Sequence, residues 1–254
     1  MKIVRVDTEV DDIVYGTVEP EGIRLHRGSP FVAWEPTETV VAWDEARLLA
    51  PVIPTKIVGV GKNYADHAAE MDSDVPTTPI IFLKPPTTVV GPLQGVRYPE
   101  ASKDVHHEAE LAVVIGKVTR DVAPEDVEAH VLGYTAANDV TARDLQRSDG
   151  QWTRAKGFDT FCPLGPAIVT ELDPTEGLEV VARVNGEVRQ RGSTADMVFG
   201  VPELVAFVSS VMTLLPGDVI LTGTPAGVGP VRPGDRMEVE IEQVGVLVNP
   251  VVGS

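Results

Sequence analysis

The sequence predicts an α+β protein that is mainly β, and three observations lead to this fold class. Short runs rich in β-branched residues recur along the chain between glycine and proline turns, which is typical of strands. Between two such runs, the dipeptide Asn185-Gly186 is a strong signal for a tight β-hairpin. Helical patterns are few, and they cover residues 64–71, 124–130 and 202–213.

The length and the order of these patterns indicate a small module followed by a larger domain. The chain has 254 residues, which suits one large domain with a small appendage. Short strand patterns at residues 3–6, 13–18 and 22–26 predict a β-rich N-terminal module over residues 1–52. The prolines that follow mark a rigid linker, and residues 53–254 form the main domain.

Charge and cysteine content exclude several classes of partner. Asp and Glu number 38 against 21 Lys and Arg, which gives a net charge of −17. We therefore expect neither nucleic acid nor an anionic membrane surface as a partner. With a single cysteine the chain forms no internal disulfide, which fits a reducing cytoplasm. No apolar run is long enough to span a membrane.

Two acidic residues open the strand pattern at residues 108–116. Side chains alternate along a strand, so Glu108 and Glu110 share one face with Ala112 and Val114, about 6–7 Å apart along the strand. Two like charges in a partly dry place are costly, and a divalent cation between them removes the cost. The alternative is that both carboxylates simply face water on an edge strand.

A third carboxylate in a similar setting favours the metal hypothesis. Asp139 comes shortly after the apolar run at residues 131–137 and opens a polar segment. A carboxylate at that strand end would complete a facial set of hard oxygen ligands with Glu108 and Glu110. We therefore predict that these three residues bind the metal.

The segment 64–71 carries the best candidate for a general base. His67 and Glu70 are three residues apart, so they meet on one face of the predicted helix. A carboxylate beside an imidazole orients the ring and raises its basicity, as a general base requires. The alternative is a surface helix on which both side chains face water. The polar, proline-rich residues 72–79 predict a loop that would let this helix act as a lid.

Three further positions are candidates for contacts with an anion. Lys156 lies in a tight, aromatic-flanked segment and could stabilise a developing oxyanion, or it could form a surface salt bridge. Lys84 ends an apolar strand pattern, where it either faces an anion or is an ordinary solvated lysine. Thr224, in the glycine-rich loop 221–229, could lend its hydroxyl to a small anion, although such a loop can also be a simple β-connection.

Taken together, these segments resemble the fumarylacetoacetate hydrolase family, in particular its small bacterial members and the acylpyruvase/oxaloacetate decarboxylase type. The resemblance covers about residues 55–249. Its motifs are GKNYADH at 61–67, FLKP at 82–85, HEAEL at 107–111, NDVTARD at 138–144 and AKGFD at 155–159. VNGE at 184–187, PGDVI at 216–220 and LTGTPAGVG at 221–229 follow.

The resemblance implies a fold, a cofactor and further site residues. It implies a mixed β-roll or sandwich catalytic domain, usually a homodimer, with Mg²⁺ or Mn²⁺ held by three carboxylates that fall on the acidic residues already singled out. It places a His–Glu dyad on a lid helix and an active-site lysine at Lys156. It also places Gln146 at the substrate's carboxylate end, and we assign Arg143 to substrate binding beside it. Loops such as 72–78 and 93–97 would shape the rest of the pocket.

These expectations predict an enzyme that acts on a small anionic 2-oxo acid through a metal-stabilised enolate. It would cleave a C–C bond, either by hydrolysing an acylpyruvate or by decarboxylating oxaloacetate. One alternative is isomerisation of 2-hydroxyhepta-2,4-diene-1,7-dioate in aromatic catabolism. The others are a non-catalytic, metal-dependent protein that binds 2-oxo acids and a β-scaffold with a purely structural Ca²⁺.

Overall fold

Strands dominate the fold, as the sequence predicts. The structure is a computed structural model that describes residues 1–8, 13–70 and 74–253. Five strands lie in the first fifty residues, and they include the three predicted there. Their bounds are β1 (Lys2–Thr8), β2 (Ile13–Glu19), β3 (Gly22–Ser29), β4 (Ala33–Val41) and β5 (Ala46–Leu49).

The middle of the chain supplies nine strands, of which the buried ones β6, β11 and β12 matter most for the site. The first five are β6 (Ile57–Gly61), β7 (Ile80–Lys84), β8 (Val89–Val90), β9 (Val96–Arg97) and β10 (Val105–His107). The next four are β11 (Ala109–Ile115), β12 (Val131–Asn138), β13 (Thr141–Ala142) and β14 (Cys162–Val169).

The C-terminal part adds six strands, and the predicted hairpin at Asn185-Gly186 joins the first two. These strands are β15 (Glu179–Val184), β16 (Glu187–Ser193), β17 (Val219–Leu221), β18 (Gly229–Pro230), β19 (Arg236–Ile241) and β20 (Gly245–Val252). Asn185 and Gly186 both have positive φ, of 54° and 82°, as the tight turn requires.

The strands of the described residues form three sheets. The largest runs in the order β4-β3-β2-β1-β14-β12-β11-β17-β6-β7, with β5 on β1 and β8 on β14. The others are β13-β10-β18 and β16-β15-β19-β20-β9. Most pairs are antiparallel, whereas β6 runs parallel to β17. The N-terminal strands thus join the main sheet where β1 pairs with β14.

Four short α-helices connect the sheets: α1 (Ala65–Glu70), α2 (Arg143–Asp149), α3 (Thr153–Lys156) and α4 (Val201–Val211). The predicted helix at 124–130 is a 3-10 helix, Pro124–His130. Of the apolar stripe predicted for α4, Leu204, Val205 and Val208 are buried, but Val211 is 52% exposed. The prediction fails at Val211, the last residue of α4, whereas Met212, which follows in an extended conformation, packs partly buried against the same core cluster. Residues 71–73 of the predicted lid segment lie outside the described residues.

The predicted alternation of β11 is confirmed, and both of its faces are buried. Ala112 and Val114 pack into one core cluster with residues of β14 and β17. Leu111 packs on the opposite side, against the five-stranded sheet, and Val113 packs there against α4. A strand buried on both sides leaves little water near its charged end, which is where the acidic residues lie.

Among the described residues, no helix has the length and apolar character needed to cross a membrane.

Candidate active site

The three acidic residues meet where the paired strands β11 and β12 end. One carboxylate oxygen from each of Glu108, Glu110 and Asp139 lies within 4.8 Å of the other two, and all three residues are buried. The register explains this convergence, because Ala109 lies opposite Asn138 and the next residue is Asp139. A 2.9 Å hydrogen bond from the Asp139 N–H to the Glu108 carbonyl oxygen holds their backbones side by side.

Three basic side chains surround two of these carboxylates. Lys156 Nζ donates to Glu108 Oε2 at 2.6 Å and to Asp139 Oδ2 at 2.5 Å. The Arg143 guanidinium donates to the other oxygen of Glu108. Lys84 Nζ donates to the other oxygen of Asp139 at 2.5 Å. Both carboxylates are therefore paired on both oxygens, in surroundings that exclude water.

The electrostatic balance around Glu108 follows from these contacts. Burial alone would raise the pKa of the Glu108 carboxyl, but the charges of Arg143 and Lys156 outweigh it, so this pKa lies below its usual range. Burial would also lower the pKa of Lys156, yet the Asp139 and Glu108 carboxylates raise it overall. Both partners therefore stay charged.

Glu110 has a different environment. Its Oε2 accepts a 2.6 Å hydrogen bond from the Gly223 N–H, and within the described part of the chain no salt bridge includes it. Burial and the neighbouring charges of Asp139 and Glu108 raise the pKa of Glu110 well above its usual value. The charged form of this side chain therefore lacks the neutralisation that the other two carboxylates have.

The donor set fits a small divalent cation. Three carboxylates offer the hard oxygen ligands that Mg²⁺ and Mn²⁺ prefer. A cation at this point would supply the positive charge that Glu110 lacks among the described side chains. Glu108, Glu110 and Asp139 are therefore the residues that would hold the metal.

The predicted dyad forms on α1. His67 Nδ1 lies 3.1 Å from Glu70 Oε2, and the His67 side chain is 8% exposed. The Glu70 carboxylate also accepts hydrogen bonds of 3.1 and 3.2 Å from the Gly227 N–H. The alternative of a surface helix with both side chains in water therefore does not hold, because His67 faces inward and the Glu70 carboxylate is anchored to a loop.

Asn63 fixes the start of α1 relative to the rest of the site. Its side chain is fully buried and makes three hydrogen bonds. Nδ2 donates to the Phe199 and Thr222 carbonyl oxygens at 3.0 and 2.8 Å, and Oδ1 accepts from the Phe199 N–H at 2.8 Å. The helix that carries His67 is thereby attached to the loop that follows β17.

A cavity of about 190 Å³ lies over the carboxylates and brings most of the predicted site residues together. Its lining includes Val60, Gly61, Lys62, His67, Glu108, Glu110, Arg143, Gln146, Arg147, Trp152, Lys156 and Thr224. Asp139 and Glu70 lie behind this lining. The prediction that residues 93–97 shape the pocket is wrong for the described lining, because that segment pairs with β20 instead.

The structure places three of the predicted substrate contacts in the lining but gives one of them another task. Gln146 Oε1 accepts from Arg143 Nη1 at 2.7 Å, so these two side chains form one polar wall. Thr224 also lines the cavity, but its hydroxyl donates to the Ala109 carbonyl oxygen at 2.8 Å. The Thr224 proton therefore points into the protein and not toward an anion.

Lys84 corrects the sequence analysis. Its side chain is 0% exposed, and its ammonium contacts Asp139 from behind the cavity, so it is neither a solvated lysine nor a substrate contact in this structure. The β7 strand carries it there, where its ammonium meets Asp139 of the acidic cluster. Its role is to neutralise and orient Asp139.

We therefore expect Lys84→Met to destabilise the protein by about 3 kcal/mol, because it leaves a buried carboxylate with one cation fewer. Urea unfolding measures this change. The matched control is Lys117→Met, since the Lys117 side chain is exposed and has no salt bridge among the described residues; it should stay within about 0.5 kcal/mol. Equal stabilities of the two variants would contradict the assigned role of Lys84.

Trp152 is a cavity residue that the sequence analysis did not single out. A Cβ on Gly61 would lie 2.5 Å from the Trp152 ring, and one on Gly59 would lie 2.2 Å from the Phe82 ring. Glycines inside a strand mark close approaches of this kind. The two glycines of β6 therefore make room for an aromatic wall, and Lys156 Nζ lies 5.1 Å from the Phe82 ring centroid.

The fold and the site together define a mainly β protein with a buried acidic centre beneath a histidine-bearing helix. The sequence model described as fumarylacetoacetate (FAA) hydrolase C-terminal matches residues 56–252, and that described as Rv2993c-like, N-terminal matches residues 1–51. The chain belongs to the fumarylacetoacetate hydrolase family, which confirms the resemblance found in the sequence.

Named relatives span several activities. Human mitochondrial oxaloacetate tautomerase FAHD2B is 50% identical over 226 residues, covering 84% of this chain and 72% of that protein. The crystal structure of 2-hydroxyhepta-2,4-diene-1,7-dioate isomerase from Mycobacterium marinum has 46% identity and a TM-score of 0.92, covering 100% and 99% of the two chains. Fumarylpyruvate hydrolase from Pseudomonas aeruginosa, in complex with Mn²⁺ and pyruvate, has 36% identity and a TM-score of 0.75, covering 82% and 92%.

Proposed function

We propose that this protein is an Mg²⁺- or Mn²⁺-dependent enzyme that acts on small 2-oxo acids through an enolate and cleaves a C–C bond. The reaction would be hydrolysis of an acylpyruvate or decarboxylation of oxaloacetate. The observation that carries the proposal is one cavity in which a buried three-carboxylate cluster faces an ammonium group and an oriented histidine. The Mn²⁺ and pyruvate named for a solved relative support the same ligand chemistry.

The basic groups around the cluster suit an anionic substrate. When bound, a divalent cation supplies positive charge for the 2-oxo group and lowers the energy of negative charge that develops on it. Lys156 lines the same cavity and adds a second positive charge beside that position. Arg143 and Gln146 form the wall that would hold the substrate carboxylate.

His67 is the group placed to hold and move a proton. Its Nδ1 faces Glu70, so with that nitrogen protonated the other ring nitrogen, Nε2, is the basic one. In hydrolysis, this nitrogen would take a proton from a water that attacks the 4-keto carbonyl, and pyruvate would leave as its enolate. In decarboxylation, loss of CO₂ from the carbon at position 3 gives the same enolate, which a His67 imidazolium that has taken its proton from solvent would protonate.

A second candidate is proton transfer without bond cleavage. If His67 moves a proton between carbon and oxygen, the outcome is tautomerisation of oxaloacetate or isomerisation of an unsaturated 2-hydroxy acid. The names of two relatives, an oxaloacetate tautomerase and a diene-dioate isomerase, favour this outcome. A non-catalytic 2-oxo-acid-binding protein is less well supported, because such a protein needs no oriented base.

The first test measures the reaction with and without metal. We expect Mg²⁺ or Mn²⁺ to support pyruvate release from oxaloacetate or from acetylpyruvate in a coupled assay, and chelator to remove it. Ultraviolet absorbance of oxaloacetate, which follows its enol form, reports tautomerisation in parallel. Metal-dependent loss of the enol absorbance without pyruvate release would favour the second candidate. If metal binds but the absorbance does not change and no pyruvate appears, the proposal is contradicted.

A further inference from the structure

Gln190 of β16 lies outside the cavity lining, yet its side chain is 1% exposed and uses its full hydrogen-bonding capacity. Oε1 accepts from the Ala109 N–H and from His107 Nδ1, both at 3.0 Å. Nε2 donates to Thr224 Oγ1 and to the Pro225 carbonyl oxygen, both at 2.7 Å. Because the Ala109 N–H can only donate and the Pro225 carbonyl can only accept, these partners fix the orientation of the amide.

Ala109 is the residue between the two glutamates of the acidic cluster. Its N–H donates to Gln190, its carbonyl oxygen accepts from Thr224 Oγ1, and Thr224 in turn accepts from Gln190. These three residues close a ring of hydrogen bonds. The ring holds the two peptide groups that join Ala109 to Glu108 and to Glu110.

The amide nitrogen of Gln190 reaches the loop that anchors the dyad. Gly227, two residues after Pro225, donates its N–H to the Glu70 carboxylate. A Cβ on Gly227 would lie 2.2 Å from the Arg189 carbonyl oxygen, and one on Gly192 would lie 2.5 Å from the Pro225 Cβ. Strand β16 therefore contacts this loop on both sides of the glutamine.

We propose that Gln190 is a positioning residue that couples the acidic cluster to the His67–Glu70 dyad. One end of its amide fixes the strand that carries Glu108 and Glu110, and the other end fixes the loop that aims Glu70. This inference rests on the proposed function for its kinetic consequences, but it also predicts changes in metal binding and loop exchange that need no turnover. The amide touches neither the cavity nor the metal ligands' carboxylates, so its effect passes through Ala109 and the loop.

The isosteric variant Gln190→Met removes all four hydrogen bonds while keeping the volume. We expect Mn²⁺ affinity to fall about tenfold and kcat to fall about 10- to 100-fold, as for other residues that orient metal-site groups. KM should change by less than about threefold, because no substrate contact is lost. Amide hydrogen exchange of peptides over residues 222–229 should accelerate.

The matched control is Gln243→Met, because Gln243 is an exposed glutamine at a distant turn. This variant should leave all of these values at the wild-type level.

The variant Gln190→Glu separates the two ends of the amide. A glutamate keeps both acceptor contacts but loses at least one of the two donor contacts, whichever its protonation state. We expect Mn²⁺ binding no weaker than wild type, together with a lowered kcat and faster loop exchange. Because the glutamate side chain stays polar, this variant also tests the proposal if Gln190→Met fails to fold.

A double-mutant cycle with Glu70→Gln tests the coupling to the dyad. If Gln190 acts on the dyad through Glu70, Gln190→Glu, which keeps the contacts to the strand, should lower kcat much less in the Glu70→Gln background than in the wild type. Equal effects in both backgrounds, or wild-type Mn²⁺ affinity and loop exchange in a folded Gln190→Met, would overturn the inference. Absence of turnover in the wild-type enzyme would instead count against the proposed function, while metal binding and exchange would still decide the role of Gln190.

Discussion

Glu110→Gln is expected to abolish Mn²⁺ binding and to lower turnover about a thousandfold or more, equivalent to about 4 kcal/mol of transition-state stabilisation. The side chain offers one of three oxygen donors to the cation, and an amide lacks its negative charge. Folding should survive, because no described cation depends on Glu110 for neutralisation. Mn²⁺ titration by calorimetry, thermal melting and the pyruvate assay measure the three quantities.

Glu108→Gln provides the matched comparison. Its carboxylate neutralises Arg143 and Lys156, both buried, so its loss leaves two cations underpaired. This variant should lose activity and also about 3–5 kcal/mol of stability, whereas Glu110→Gln loses activity alone. Full turnover of Glu110→Gln in the presence of chelator would show that the acidic cluster is not a catalytic metal site.

His67→Ala is expected to lower turnover by about 10²- to 10⁴-fold, the contribution typical of a positioned base or acid. Mn²⁺ binding and binding of oxalate, a mimic of the 2-oxo carboxylate, should persist, because the carboxylates, Arg143 and Gln146 remain in place. Steady-state kinetics and calorimetry on the same preparation separate the two effects.

His130→Ala is the control for this prediction. His130 lies at the end of a 3-10 helix, where its ring contacts Thr119 and does not line the cavity. Turnover should then stay within about twofold of wild type, as expected for a substitution remote from the site. If His67→Ala retained turnover comparable with this control, the dyad would have no role in the proton transfer.

Local sequence was sufficient for those parts of the site that depend on the geometry of one element. Alternation along a strand placed Glu108 and Glu110 together, and both faces of β11 are buried as that pattern indicates. Helical spacing brought His67 and Glu70 into contact at 3.1 Å. Each of these relations spans two or three residues, so backbone periodicity alone determines it.

The same reasoning failed where neighbours from distant segments set the environment. Lys84 is 55 residues from Asp139, and nothing near it in sequence shows that its ammonium ends beneath that carboxylate. Thr224 turns its hydroxyl toward Ala109, which is 115 residues away. A lysine at the end of an apolar strand, or a threonine in a glycine-rich loop, can have several partners. Tertiary packing determines which of them it contacts.

The sequence by itself thus determined a mainly β chain with two carboxylates on one strand and a histidine–glutamate pair on one helix turn. The sequence also indicated Asp139 as the third member of the cluster, and the β11–β12 register is what brings it there. Tertiary structure alone decided that Lys156 pairs with two members of the cluster and that Gln190 reaches Ala109 from another sheet. The physical reason is that strand pairing and burial act between residues far apart in the chain, and they set which charges are neutralised and which polar groups find partners.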